Sequence, residues 1–345
     1  MTGTVVDAES GNTLTGAHVF VLESTLGTIT DESGSFSLSG LTAGEIKIGV
    51  SMVGFSPYIF AANPAQTAEQ VFNVNLTPQI YELDQVMVTA KKNRRWRKQL
   101  KLFTHHVIGD TENASKTKIT NPEVLNFVQR KGVLIVEAQE PLIIENNALG
   151  YRIYYTLVHC AIQNKRPQYK GIARFEEMEP KNAKEKKRWL KNRDRAYKGS
   201  FKHLLRTMAT VGNMDEFKKE GFHVARVNEF PETIQSYERA IWKNRDPIDA
   251  LVQKKDDQNE NLLHVKNYLL IAYSGELESN RYVRNHMMHF REPGIQRSSI
   301  ELRADSTVFH DLGYLYDAYS VVIHGYMGWE RMAEMLPLDY APVDG

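Results

Sequence analysis

Three adjacent stretches decide the fold of the N-terminal part: Gly3–Leu22, GTVVDAESGNTLTGAHVFVL; Gly27–Leu41, GTITDESGSFSLSGL; and Glu45–Phe55, EIKIGVSMVGF. Successive side chains of a strand point to opposite faces, so alternation of apolar and polar residues marks a half-buried strand. Ile46, Ile48, Val50 and Met52 share one face, against Lys47, Gly49 and Ser51 on the other. Phe36 and Leu38 alternate with serines, and Phe72, Val74 and Leu76 alternate with Asn73 and Asn75. Between Thr30 and Ser35, Asp31-Glu32-Ser33-Gly34 supplies a turn: Asp caps it through its side chain and Gly takes the positive φ that returns the chain to the next strand. Short strands with turns at this spacing, and no helical period before Thr77, predict a seven-strand-type β-sandwich.

On those residues, with the closing VNL at Val74 to Leu76, positions 3 to 77 resemble the carboxypeptidase-regulatory-like domain, a transthyretin-like (prealbumin-like) sandwich. The resemblance implies an accessory module of exported cell-envelope proteins, especially of the Bacteroidota, and no catalytic activity of its own. Leu83 to Ala90 is similar to the short strand that follows this sandwich in outer-membrane nutrient receptors. The roughly 255 residues that remain lack the serial ~10-residue strands of a barrel, which excludes a transport receptor. The expected organisation is multidomain: an all-β sandwich at 1–78, a linker or short strand at 79–92, and an α+β domain at 93–342.

Composition bounds the rest. A chain of 345 residues, 25% charged and 42% hydrophobic, has room for two cores. One cysteine, Cys160, excludes an internal disulfide framework and a four-thiolate metal site. No apolar run reaches the roughly 18 to 20 residues of a membrane helix. The first strand begins at Gly3, two positions after Met1, which in a usually exported family implies a targeting segment missing upstream; a native start at Met1 would instead imply the cytoplasm.

A net charge of +1 hides an asymmetry. Residues 1–90 hold one basic residue, Lys47, against nine acidic ones, and the remainder carries a net +9. The second part could therefore attract the acidic sandwich, or anionic partners such as phosphorylated lipid headgroups. Seven of the eleven residues from Lys91 to Lys101 are basic, and Trp96, Leu100, Phe103 and Val107 fall on one face of a helix. A second basic helical region, Lys181 to Arg206, is broken at Gly199-Ser200 into two helices, the second capped by Ser200. Arg94, Arg95, Arg97, Lys186, Lys187 and Arg188 are the candidates for contact with an anionic surface.

Between these, Asn121-Pro122 predicts a helix through Val124, Leu125 and Val128 that stops at Gly132. Strands are expected at Val133–Val136, Leu142–Glu145, Tyr151–Ile162 and Gly171–Glu176, the third central because it is apolar on both faces. Helices are expected at Glu232–Trp242 and Pro247–Lys254, and strands at Val265–Tyr273, Ser299–Leu302 and Tyr319–His324. The pieces IENNALGY at Ile144–Tyr151, WLKNRDRAYKGSFKHLLR at Trp189–Arg206 and GYMGWERMAEMLPLDY at Gly325–Tyr340 are similar to an uncharacterised C-terminal region that accompanies the sandwich in some Bacteroidota proteins.

Catalytic motifs are scarce. Neither HExxH nor GxSxG is present, and GxxxxGK[ST] and GxGxxG are absent, so no nucleotide or other cofactor is implied. Zinc carboxypeptidase chemistry and nucleic-acid binding are not expected. His286 and His289 have the spacing of a two-ligand metal edge, but no third carboxylate of known geometry stands beside them, and no metal site is read here. Ser200 and His203 read as a cap beside a histidine, and Glu137, Glu140 and Glu145 as surface carboxylates with the remote option of a glycosidase pair. Candidate ligand-binding residues in the second part are Glu145, Asn146, Arg195, Tyr197 and His203. The expectation is a non-catalytic envelope protein, periplasmic or outer-membrane associated, that binds or scaffolds an envelope protein, a glycan or an anionic lipid headgroup. The alternative is a hydrolase of an envelope peptide or glycan with its site in the second part.

Overall fold

The computed structural model describes residues 1–41, 44–64, 70–79, 94–164, 166–244, 247–255, 259–285 and 291–342. The expected linker at 79–92 therefore lies almost wholly outside the described residues, as do His286 and His289.

Seven strands build the N-terminal sandwich: β1 (Thr2–Asp7), β2 (His18–Val21), β3 (Gly27–Ile29), β4 (Ser35–Ser37), β5 (Ile46–Ser51), β6 (Tyr58–Ala62) and β7 (Val71–Leu76). They form a three-stranded sheet, β4-β1-β7, and a four-stranded sheet, β3-β2-β5-β6. The inward faces meet in one core that includes Val5, Val19, Phe36, Ile48, Val50, Val74 and Leu76. The turn before β4 forms as its residues dictate. Asp31 Oδ1 accepts from the Ser33 and Ser35 N–H groups, both at 2.9 Å, and Gly34 sits at φ +72°. The expected fold class, an all-β sandwich followed by a region of mixed helix and strand, is the one observed.

Helix α1 (Arg94–Val107) follows, with Phe103 and Val107 fully buried and Trp96 Nε1 donating to the Leu125 carbonyl at 3.1 Å. A six-stranded sheet comes next: β8 (Thr117–Ile119), β9 (Leu125–Arg130), β10 (Val133–Ala138), β11 (Leu142–Asn146), β12 (Tyr151–Gln163) and β13 (Arg166–Glu177). Long β12 pairs with β10, β11 and β13, the central position its two apolar faces predict. The helix expected after Asn121-Pro122 does not form. A single 3-10 turn, Pro122–Val124, leads directly into β9. The Asn121 side chain, which would have capped a helix, is spent on backbone across the sheet: it accepts from Ile143 N–H at 2.7 Å and donates to the Pro141 carbonyl at 2.9 Å.

Packing divides the chain elsewhere than at residues 78 and 93. One compact unit comprises Met1–Ile108 with Thr117–Ala183, and the other Gly109–Lys116 with Lys184–Gly345. Within the first unit the sandwich continues into the six-stranded sheet. Glu23 N–H donates to the Ala173 carbonyl at 2.7 Å, and Phe175 N–H to the Ser24 carbonyl at 3.0 Å.

The second unit contains α2 (Ala183–Tyr197, which starts at the boundary), α3 (Phe201–Thr210), α4 (Met214–Lys219), β14 (Phe222–Val227), α5 (Ile234–Lys243), β15 (Val252–Lys254), β16 (Glu260–His264) and β17 (Tyr268–Leu277). After these come α6 (Asn280–Asn285), β18 (Ile295–Leu302), β19 (Ser306–His310), β20 (Tyr314–Leu315), β21 (Val321–Gly325) and α7 (Tyr326–Trp329). Two four-stranded sheets result, β14-β17-β18-β21 and β15-β16-β19-β20. Strand β17 shows why the unit is layered: Leu269, Ile271 and Tyr273 face a core shared with α3 and the second sheet, whereas Leu270 and Ala272 face Tyr237 and Ile241 of α5. The expected break between α2 and α3 is present, with Ser200 Oγ accepting from His203 N–H at 3.1 Å. Pro247 to Lys254 is not a helix. A 3-10 turn at Ile248–Ala250 gives way to β15, because Val252–Lys254 pairs with β16.

Candidate site, a polar cleft in the second unit

The cleft is built from segments far apart in sequence but all within the second unit. Gly109–Lys116 forms one wall, the C-terminal half of α2 another, and α6, α7 and the 3-10 turn Met332–Glu334 complete it. Its volume is about 330 Å³. Gly109 makes the first wall feasible. Its φ is +105°, and a Cβ there would lie 2.9 Å from the Arg331 Cβ, so only glycine lets the chain pass.

Most charged groups of the walls are held by protein partners. Glu334 Oε2 accepts from Asn113 Nδ2 at 2.6 Å and is also hydrogen-bonded by Thr111. Glu112 Oε1 accepts from Ser279 Oγ at 2.8 Å, and that oxygen also accepts from Arg281 N–H at 3.0 Å at the start of α6. The Arg281 guanidinium is paired with Asp110. Arg195 differs. It is exposed, lines the cleft from α2, and makes no hydrogen bond or ion pair within 4 Å among the described residues. The apolar side is aromatic: Tyr326 and Trp329 line the cleft and pack with Tyr282, with ring centroids 5.0 to 5.4 Å apart.

The charge of Arg195 acts on several carboxylates. Burial raises Glu334, the charge of Glu112 adds to the effect, and the hydrogen bonds from Thr111 and Asn113 with the charge of Arg195 oppose it. Burial raises Glu330 well above the usual carboxylate range, reinforced by Glu334 and Glu276, with Arg195 again opposing. Glu276 is raised by burial against Arg195 and Lys198. Burial and Glu330 push the Tyr326 phenol upward. One guanidinium thus serves several acidic groups that hold their protons more tightly than usual.

The other residues singled out from sequence are placed as follows. Glu145 and Asn146 belong to the first unit. Arg152 bonds Glu145 at 3.1 Å and Glu176 at 2.9 Å, across adjacent strands. Asn146 is fully buried and shapes the β11–β12 turn, its Oδ1 accepting from Ala148 and Leu149 N–H at 3.1 and 3.0 Å. Tyr197 and His203 are buried in the second unit with ring centroids 4.7 Å apart, and His203 Nδ1 accepts from Gly199 N–H at 3.2 Å. Arg195 alone of the five lines the cleft. Arg94, Arg95 and Arg97 on α1 and Lys186, Lys187 and Arg188 on α2 are exposed, Arg188 with Glu185 at 2.8 Å. Lys202 and Arg206 have structural work: they donate to the Leu336, Leu338 and Tyr340 carbonyls, which ties the C-terminal run to α3. Glu137 and Glu140 lie on or just after β10 in the first unit and line no part of this cleft. Among the described residues no three His, Cys, Asp or Glu are grouped as a metal site.

Residues 1–88 match one protein family over their whole length. They are a CarboxypepD_reg-like domain. The cleft begins at Thr111, beyond the reach of the CarboxypepD_reg-like domain, so the family assigns nothing to it. A His–x–x–Glu spacing of the kind used by zinc carboxypeptidases occurs once, at His289 and Glu292, and His289 lies outside the described residues. Among curated proteins there is no match. Among solved structures, a Bacteroides fragilis protein of unknown function, to which membrane association is ascribed, aligns over 94% of each chain at 11% identity. Its TM-score of 0.18 is too low for a shared fold. No helix among the described residues is long and apolar enough to cross a membrane, which leaves β-barrels unaddressed.

Proposed function

We propose that this is a binding protein of the cell envelope in which the CarboxypepD_reg-like domain is accessory and the cleft of the second unit takes a glycan. The carrying observation is the composition of the cleft: two aromatic side chains beside Asn113, Asn192, Glu334 and Arg195. Sugars are recognised this way, by an aromatic face against the ring's C–H surface and by amides, carboxylates and guanidinium against its hydroxyls. The envelope location rests on the accessory domain, whose resemblance is to exported proteins.

The test is thermal unfolding of the full chain with mono- and oligosaccharides at millimolar concentration. A ligand that binds only the folded state raises the midpoint in a concentration-dependent way. The expected result is a saturable rise with some of the sugars, lost in an Asn113→Ala, Trp329→Ala variant. No rise with any sugar, or an equal rise in that variant, overturns the assignment of the cleft.

A hydrolase of an envelope glycan is the second reading, and Glu334 favours it, since burial raises this cleft-lining carboxyl and a carboxylic acid that holds its proton more tightly is better suited to donate it to a leaving group. Product release from an oligosaccharide, abolished by Glu334→Gln with binding retained, would establish it.

A further inference from the structure

We propose that the sugar unit held at the centre of the cleft carries a carboxylate, as a uronic acid does, and that Arg195 is the group that grips it. This rests on the glycan reading above and narrows it to acidic glycans.

Remaining hydrogen-bonding capacity sets Arg195 apart. Glu334 is engaged by Asn113 and Thr111, Glu112 by Ser279, and Arg281 by Asp110. Arg195 brings five N–H donors to the cleft and gives none of them to the described residues. A planar guanidinium with its fork open is matched by a carboxylate, which accepts two parallel bonds. Lys116, exposed at the cleft margin, adds a second positive charge on the same approach. Tyr326 and Trp329 provide the surface on which the ring that bears the carboxylate would rest.

The carboxylates near Arg195 look at first like an obstacle to an anion. Their environment answers it. Glu330, Glu334 and Glu276 are each raised, and each is held down by Arg195. An anion on Arg195 offsets that charge and adds its own, so these groups take up protons as the ligand binds. Acidic-glycan binding is therefore coupled to proton uptake, and it strengthens as pH falls until the ligand's own carboxylate protonates.

The experiment uses the full chain, wild type and Arg195→Gln, against a glycan array holding acidic and neutral oligosaccharides of matched linkage, followed by titration calorimetry with the best acidic binder in buffers of different ionisation enthalpy. Loss of a charge-assisted pair predicts that Arg195→Gln weakens acidic binding by about ten- to a hundredfold and removes the preference over the neutral counterpart. Arg195 is exposed, so the variant should fold, and a single cooperative unfolding transition verifies it. Buffer-dependent heats should reveal net proton uptake that shrinks in Glu334→Gln. Equal binding of acidic and neutral glycans, or a preference that survives Arg195→Gln, overturns this inference and leaves the glycan reading standing. Absence of binding to every glycan overturns both.

Discussion

Two constellations of charge in this protein use the same residue types to opposite ends. On the six-stranded sheet of the first unit, Glu145, Arg152 and Glu176 form a ladder across β11, β12 and β13. Tyr154 donates to Glu176 at 3.2 Å, and the Arg174 guanidinium sits 3.9 Å above the Tyr154 ring. Each of these groups answers another. In the cleft of the second unit Arg195 bonds none of the described residues directly, while several carboxylates that feel its charge are raised. The ladder is closed and the cleft is open, which makes density of charge a poor guide to a site and unspent bonding capacity a better one.

A closed charge network should contribute measurably to stability. Its strongest case lies in the second unit itself, where Glu278, with its side chain 2% exposed, bonds Arg291 at 2.6 Å and accepts from Gly294 N–H at 3.0 Å. Glu278→Ala takes a buried carboxylate away from a partly exposed guanidinium and leaves the Gly294 amide without its acceptor, and should cost about 3 kcal/mol in denaturant unfolding. A loss below about 1 kcal/mol would mean that the closed networks are ornamental.

His203 gives the next largest effect, because it was a candidate for ligand contact yet is closed in by Tyr197, Phe222 and Tyr273. Burial lowers it to about 4, helped by Arg206 and Lys198 and opposed by Asp194; Glu220 lies 4.0 Å from Nε2. The unfolded chain protonates this ring near 6.5, so its contribution is complete above that pH and is lost as pH falls towards 4. The loss should be on the order of 2–3 kcal/mol, read as the difference between wild type and His203→Gln across pH-dependent unfolding curves. Parallel curves would show that the ring is hydrated in solution.

Smaller effects sharpen the contrast. Arg152→Ala, which frees Glu145 and Glu176 at a partly exposed site, should destabilise by about 1 kcal/mol in denaturant unfolding. Arg195→Gln should cost less than Arg152→Ala in the same measurement, since it breaks no hydrogen bond or ion pair among the described residues and removes only a charge that acts through space on Glu276, Glu330 and Glu334. A reversal of that order would place the structural role in the cleft and the spare capacity on the sheet.

Local rules made much of the architecture legible. Asp31 and Gly34 announced their turn, Phe103 and Val107 the buried face of α1, and Gly199-Ser200 the break between two basic helices. The misreadings share a cause. Asn121 and Pro247 carry helix-start chemistry, but strand pairing at β9 and β15 outbid it, and pairing is not visible in a window of ten residues. The cleft was harder still. Arg195 stood out within a basic run, but the contact that orders the opposite wall joins Asn113 to Glu334, across 221 positions. Glu145 and Asn146 looked like its companions and turned out to serve a strand ladder and a turn in the other unit.

The seam at Glu23–Ser24 and Ala173–Phe175 sets an order of assembly. A chain made from its N-terminus can bring the core of the CarboxypepD_reg-like domain together early, with both sheets and the Asp31 turn complete. It cannot satisfy the seam until β13 has left the ribosome. Through that interval the first module presents a backbone edge with no partner, and the last strand of the unit, made much later, is the piece that closes it.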